Sequence, residues 1–479
     1  MEDKDIEFSA KSMVDDFGRV FFLKGRVYRF INKSQVNFCK QLLSSPLFYK
    51  LLDLGLIPQT KITNEFKDTS DKLILEHERL IETLQHEWTF EMFKDAALMV
   101  LKINCLSNEY GYELKDSHTM NILFKNTNPI FIDIGSFQIK ETKNESWCAY
   151  PEFLRSLFLP LLFWSQNQYY IVRKLVESNF YKMYTIPSQD ITESLLFDII
   201  SEKSTNYKFL INNKKIFTTR KNNKIIKFVS KGINFINYKT IQNKRFEIRY
   251  SKPKSLEEIF PYKTIENTIN QLSPPSLNSM WSGYHNKFYE NFENIKISER
   301  FSRLLGIIDN YKDISSAVDL AGNEGYFSYL LASKEYIKEV ILVDYDENAI
   351  DKAFLNFKKN NINKITPVLM NFMFTPDIKG TSKRLKSDIA IALAVTHHLI
   401  LTGKFVLGTI FERLAGFSNK YVMVEFMPLG LWSSEHRVSQ DLPEWYNIDW
   451  FRKEFEEKFI LLHEEQTEEN RVVFFGKLK

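Results

Sequence analysis

Two hydrophobic rhythms divide the chain. From about residue 315, short aliphatic runs (SSAVDLA, EVILVDY, KITPVLMN, SDIAIALAV) alternate with helical stretches such as GYFSYLLAS and NAIDKAFLNFKKN. Strands apolar on both faces and separated by helices predict a parallel sheet covered on both sides. Ahead of residue 163 the pattern is mixed. Residues 18–31 (GRVFFLKGRVYRFI) read as two strands around a turn at Lys24–Gly25, and residues 72–80 (KLILEHERL) alternate like a strand. Residues 36–57 read as helical, and residues 89–111 as an amphipathic helix ending at Gly111. LKDSHTMNILF and the strand PIFIDIGSF follow. The expected organisation is an α+β region over 1–163, a basic middle region or insertion over 164–273, and an α/β domain over 274–479.

Composition narrows this little. Of 479 residues, 44% are hydrophobic and 26% charged, which is enough apolar material for several cores. The formal net charge of +4, from 64 basic and 60 acidic side chains, gives no general affinity for nucleic acid. The exception is local: residues 211–254 carry 13 basic side chains against one acid, Glu247. That stretch is either a solvated β-ribbon or a surface for an anionic partner. Cys39, Cys105 and Cys148 fit neither a disulfide framework nor a zinc site. The charged start, MEDKDIEFSAKSMVDDFGRV, lacks the apolar core of a signal peptide. The densest apolar run, residues 153–164 (FLRSLFLPLLFW), is too short to span a bilayer and contains Arg155. A cytoplasmic protein without a transmembrane segment is expected.

Candidate chemistry starts at VDLAGNEGYFSYLLA, where Asp319 ends a strand and Gly322 and Gly325 turn the chain into a helix. Glycine permits positive φ and close backbone approach. A second strand ends in Asp344, 25 residues on, where a carboxylate can accept both hydroxyls of a ribose. Asp346 suits the N-cap of the next helix. A dinucleotide fingerprint needs G-x-G-x-x-G against a pyrophosphate. The A-G-N-E-G turn beside Asp319 suits instead a cationic ligand, such as the ammonium and sulfonium of S-adenosylmethionine.

These motifs resemble the class I S-adenosylmethionine-dependent methyltransferases. VDLAGNEGYFSYLLA matches their first motif, with Ala321 where glycine is usual, and ILVDYDENAI the next. HEWTFEMFKDAAL, LKDSHTMNILF, PIFIDIGSF and ALAVTHHL extend the likeness to bacterial nodulation-protein-type (NoeA-like) methyltransferases. The resemblance implies a Rossmann-like C-terminal sheet and S-adenosylmethionine as cofactor. It also implies a small-molecule or glycan-linked acceptor. Asn371 would stand at the adenine, where the family often has an acid. The fourth strand of this fold opens beside the methyl group, which makes His397 and His398 active-site candidates. Either could take a proton from the acceptor, or pack. Glu425 would bind the acceptor or form a salt bridge. Trp281 and Tyr284 would close over the cofactor or pack in a core.

A second constellation lies upstream. Asp116 and Asn121 are five apart, and Asp133 follows twelve residues later in I-D-I-G. Protein kinases hold Mg-ATP with an Asp-x-x-x-x-Asn loop and a later Asp-x-Gly. The order of strands and helices around these residues agrees with a kinase-like domain. No glycine-rich phosphate loop precedes it, and only Lys24 or Arg29 stands near the place of a phosphate-binding lysine. A degenerate module that binds an acceptor, a nucleotide or a partner is expected, with an active kinase or a non-catalytic binding or scaffold role as alternatives, and with Asp133 the principal ligand of any magnesium. Glu87 and Trp88 would shape its cleft or pack between domains.

Overall fold

The computed structural model describes residues 6–66, 73–141, 146–169, 172, 173, 176, 261–275, 297–375, 378–431 and 441–479. The basic stretch 211–254, Trp281 and Tyr284 lie outside the described residues.

The N-terminal region opens with five antiparallel strands: β1 (Glu7–Phe8), β2 (Gly18–Leu23), β3 (Arg26–Ile31), β4 (Thr60–Ile62) and β5 (Leu73–His77), in the order β1-β2-β3-β5-β4. Lys24 (φ 49°) and Gly25 (φ 78°) form the two-residue turn between β2 and β3. Positive φ at both turn positions matches the right-handed twist of the flanking strands. The helical stretch after β3 is split into α1 (Val36–Leu43) and α2 (Pro46–Asp53). The break has a local cause. Ser45 caps α2 by accepting from Phe48 N–H, and Pro46, which cannot continue α1, is tolerated at the first helical position.

The long helix α3 (Phe90–Glu109) ends as Gly111 takes φ 79°. Two small antiparallel pairs lie beyond it: β6 (Tyr112–Leu114) with β9 (Phe137–Ile139), and the hairpin β7 (Ile122–Lys125) with β8 (Asn128–Phe131). The apolar run at 153–164 is α4 (Tyr150–Phe153), a π-helical turn (Leu154–Phe158) and α5 (Leu159–Ser165). Phe153, Leu157, Phe158, Leu161 and Trp164 are fully buried in the core around α3, so this run is interior helix. Val172, Val176 and residues of α6 (Tyr262–Gln271) complete that core. Among the described residues, no helix is long and apolar enough to cross a membrane.

The C-terminal region is the doubly wound sheet that the sequence predicts. After α7 (Glu299–Asp309) come β10 (Ser316–Leu320), α8 (Tyr326–Ala332), β11 (Glu339–Asp344), α9 (Glu347–Lys359) and β12 (Ile365–Leu369). Then follow α10 (Ile378–Arg384), β13 (Ser387–Ala392), α11 (Leu407–Gly416), β14 (Ser418–Phe426), α12 (Ile448–Lys458), β15 (Phe459–Glu468) and β16 (Arg471–Leu478). The sheet order is β12-β11-β10-β13-β14-β16-β15. The five strands from β12 to β14 are parallel, and β16 is inserted antiparallel between β14 and β15. Alternate residues feed opposite faces. Ala317, Leu342, Ile389 and Met423 pack under α7, α8 and α9, whereas Val318, Val343, Ala390 and Val422 pack under α11 and α12.

The two regions share buried contacts. Phe354 of α9 belongs to the N-terminal core, 6.0 Å from the ring of Phe124. Ile81, in the loop after β5, packs on the C-terminal sheet. Glu87 is buried and pairs with Arg384, which also donates to the carbonyl of Glu82. Arg173 pairs with Glu347 at 2.8 Å. Asp351 accepts the backbone N–H of Glu91 in the first turn of α3, a cap supplied from the other region. Trp88 is wholly buried against Phe93 and Phe124. Glu87 thus serves the contact between the regions, whereas Trp88 packs inside the N-terminal core.

Candidate active site at the carboxyl edge of the sheet

Register aligns the strand ends. Leu320 pairs with Val343, Asp344 with Leu369, and Ala392 with Val424. The turns after β10, β11, β12, β13 and β14 therefore share one edge. The antiparallel β16 starts there too, because Val472 pairs with Phe426. Open α/β sheets bind ligands at this carboxyl edge, beside the point where strand order reverses; here that point lies between β10 and β13.

Asp319 is 1% exposed and points to the side of α8, where Ser328 Oγ donates to its Oδ2 at 2.7 Å. Gly322 lies directly over it: a Cβ there would come 2.6 Å from Asp319 Oδ2 and 2.6 Å from Leu342. Ala321 (φ 61°), Asn323 (φ 52°) and Gly325 (φ 78°) all occupy the left-handed region. The turn is held mostly by the next strand end. Asp344 Oδ2 accepts Asn323 N–H and its Oδ1 accepts Asp346 N–H, each at 2.8 Å. Asp346 caps α9 through Asn348 and Ala349. Burial pushes the carboxyls of both Asp319 and Asp344 up to about 6, and Asp344 adds to the effect on Asp319 by like charge.

Asn371 follows β12 on an exposed turn, its side-chain oxygen accepting Met373 N–H at 3.0 Å. After β13, Ala394 (φ 51°) leads to Thr396, His397 and His398. The two imidazole rings are 4.1 Å apart. His397 is 5% exposed, and its Nδ1 has no hydrogen-bond partner among the described residues. Burial, then the neighbouring His398 and Arg471, pull its pKa down to about 3. His398 is half-buried and is lowered by burial alone. Glu425 is fully enclosed and takes the salt-bridge role: Arg300 grips it with two bonds, at 2.7 and 2.5 Å, and Arg471 lies at 3.1 Å. The Ser328, Arg300 and Arg471 contributions have no short-range signature in the sequence.

In the N-terminal region Asn121 and Asp133 are joined through one hydroxyl. Asn121 donates to Ser136 Oγ at 3.1 Å, and Ser136 donates to Asp133 Oδ2 at 2.6 Å. Asp133 Oδ1 accepts Gly135 N–H at 3.1 Å and the Arg29 guanidinium at 2.7 Å. Arg29, on β3 and buried, also pairs with Asp15. Burial alone would raise the Asp133 carboxyl, but Arg29 and the two hydrogen bonds hold it below the usual range. Of the two basic residues considered, Lys24 sits in the exposed hairpin turn and Arg29 reaches Asp133. Asp116 is half-buried in the loop after β6, which is fixed by Ser117 N–H donating to Glu152 at 2.7 Å.

No protein-family model matches the chain. It is similar to the nodulation protein NoeA of Rhizobium meliloti (strain 1021), 23% identical over 446 residues that cover 88% of this chain and 84% of the relative. The likeness extends over most of the chain, as the motifs predict. Among solved structures it is similar to magnesium protoporphyrin IX methyltransferase from Synechocystis PCC 6803 with bound SAM (12% identity, 41% of this chain and 92% of that one, TM-score 0.30). It is also similar to the N-methyltransferase NodS from Bradyrhizobium japonicum WM9 (12%, 38% and 94%, TM-score 0.29). A third likeness is to the bifunctional kinase-methyltransferase WbdD (19%, 37% and 37%, TM-score 0.26). The strand order, not these likenesses, defines the fold.

Proposed function

We propose that the chain transfers a methyl group from S-adenosylmethionine to a small-molecule or glycan-linked acceptor. The observation that carries this reading is the pair of buried carboxyls, Asp319 and Asp344, at the ends of the neighbouring strands β10 and β11, the first of which borders the strand reversal. An acidic cradle of this kind repels a diphosphate and favours a cation that also carries ribose hydroxyls. Asp344 would accept from the ribose, using lone pairs beyond those already given to Asn323 and Asp346 N–H. Asp319, one layer below Gly322, contributes negative field and holds the turn through Ser328. The amide of Asn371 would meet the adenine edge. When bound, S-adenosylmethionine supplies an electrophilic methyl group. The turn after β13 receives the acceptor. There His398, the more exposed of the two imidazoles, would take the acceptor's proton, and His397, uncharged at neutral pH, would pack against it and shape the site. Much of the rate enhancement would come from alignment of acceptor and methyl group.

The N-terminal region fits a degenerate kinase-like domain. Asn121 and Asp133 lie together behind β3, as in a magnesium–nucleotide site. Arg29 neutralises Asp133, however, and magnesium prefers oxygen ligands with their charge available. The region would serve acceptor recognition, with Mg-ATP bound weakly or not at all. The similarity to a nodulation protein is compatible with a glycan-linked acceptor. A bifunctional methyltransferase–kinase is the second reading.

Calorimetry of the full chain with S-adenosylmethionine, its demethylated product and NAD tests the cofactor. NAD binding without S-adenosylmethionine binding would overturn the proposal. Mass spectrometry of extracts incubated with the protein and methyl-labelled cofactor, with and without Mg-ATP, then seeks the acceptor. Strict ATP dependence that is lost in Asp133→Asn would favour the coupled kinase.

A further inference from the structure

The strongest unassigned feature beside the candidate site is Glu425. Its carboxylate is completely buried, yet two arginines from distant elements converge on it: Arg300 from α7 and Arg471 from the start of β16. Together they hold its pKa below the usual range, against the burial that would raise it. Neither arginine explains why an acid stands at this strand end, because a purely apolar residue would need neither of them. One remaining side-chain contact does explain it, and a backbone contact adds to it. Glu425 Oε2 accepts Ala394 N–H at 3.0 Å, and the backbone carbonyl of Glu425 accepts Thr396 Oγ at 2.6 Å. One residue thus ties down two of the five positions that lead from β13 to His398.

The first tie falls where the backbone needs it. Ala394 adopts φ 51°, a left-handed conformation that strains an L-residue with a Cβ and that glycine adopts freely. Such a conformation persists when its surroundings over-determine it. Here the determinant is a hydrogen bond to a charged acceptor, the stronger kind. That acceptor is held in turn by the fork of Arg300, which makes two bonds to it and leaves it little freedom to rotate. The second tie, at Thr396, fixes the residue directly before the histidine pair.

We propose that Glu425 is a positioning residue: through Ala394 and Thr396 it sets the turn that holds the His397–His398 pair and aims His398 at the acceptor, and it does not itself touch substrate or cofactor. The assignment rests on the methyltransferase reading for its purpose, but its geometry is independent of that reading. Arg300 and Arg471 act one step further out. They fix the carboxylate and, with Glu468 paired to Arg471 at 2.8 Å, balance its charge, so that the turn is not governed by a bare buried anion.

The test reads the imidazoles directly. The full chain is labelled with 13C at histidine Cε1, and the eight histidines are assigned by single His→Gln changes. In Glu425→Gln the amide oxygen cannot serve Ala394 and both arginines together. The resonances of His397 and His398 are expected to move while the other six stay in place, and adding Ala394→Gly, which removes the strain at φ 51°, should bring them back toward their original positions. If Glu425→Gln does not fold, Glu425→Asp, which keeps the charge but withdraws the carboxylate from Ala394 N–H, should move the same two signals. Unchanged signals for both rings would overturn the proposal. So would a shift spread over all eight histidines, or one that Ala394→Gly fails to reverse, since these mark a loss of general packing. Calorimetry on the same samples separates the two claims. A wild-type chain that binds no S-adenosylmethionine but shows the predicted ring shifts defeats the methyltransferase reading and leaves the positioning role intact.

Discussion

At the scale of single residues, Asp344 is where cofactor binding and turn structure meet, because one carboxylate holds Asn323 and Asp346 while facing the place for a ribose. Asp344→Ala removes charged hydrogen bonds worth about 1–3 kcal/mol, so calorimetry should show S-adenosylmethionine affinity reduced roughly 5- to 150-fold. Unchanged affinity would move the ribose elsewhere. Its pH dependence follows from a carboxyl raised to about 6. An ordinary aspartate in the unfolded chain titrates near 3.9. Between those values the folded chain holds the extra proton, so this group's contribution to stability is largest at low pH and is lost as pH rises through about 6. Wild type should therefore lose thermal stability relative to Asp344→Asn over that interval. Cofactor affinity should run the opposite way and weaken as pH falls below about 6, because a protonated acid accepts poorly. Flat profiles in both measurements would show that the site does not titrate there. Asp319 and Asp344 were legible in the sequence because each is an acid ending an apolar strand. Arg300 and Arg471 were not, since they meet Glu425 across 125 and 46 residues of chain, which leaves no periodic trace.

At the scale of elements, the glycine turn depends on space as much as on conformation. Gly325 combines φ 78° with neighbours that leave no room: a Cβ would stand 2.6 Å from Leu342 and 2.8 Å from Phe357. Gly325→Ala therefore brings both left-handed strain and overpacking against β11 and α9, costing about 2–4 kcal/mol. Chemical denaturation should show that loss of stability, together with weaker cofactor binding as the turn shifts. A loss below about half a kcal/mol would mean that the turn relaxes freely. The neighbouring Ala321 and Asn323 adopt positive φ despite having side chains, so the turn forms without a glycine at 321. The parallel strands of the C-terminal region could be read because they are apolar on both faces, whereas the antiparallel pair β15–β16, with β15 half exposed, left no such run. The break at Ser44–Pro46 and the π-helical turn at 154–158 interrupt otherwise helical patterns. The proline signals the first. The second, in a uniformly apolar run, is decided by packing around α3 rather than by periodicity.

At the scale of the whole molecule, α9 links the proposed cofactor site to the N-terminal region. Its cap, Asp346, follows Asp344 closely, its first residue pairs with Arg173, and one turn later Asp351 receives the N–H of Glu91. Phe354 then enters the N-terminal core. Burial raises the Asp351 carboxyl to about 7, consistent with a group enclosed by the contact rather than exposed to water. Cutting the chain before α7 would expose Phe354 and strip Arg384, Glu347 and Asp351 of their partners. A single interior Phe→Ala replacement costs about 3–5 kcal/mol, and the cut removes the packing around Phe354 together with several polar contacts. Residues 297–479 alone should therefore melt well below the full chain and bind S-adenosylmethionine more weakly, because the start of α9 is no longer held. In the full chain, Phe354→Ala should lower the melting temperature of both regions together, with a single calorimetric transition. Two separate transitions in the wild type, or an isolated C-terminal piece as stable and as competent in binding as the whole, would show that the regions fold independently and that the contact through α9 contributes nothing to the site.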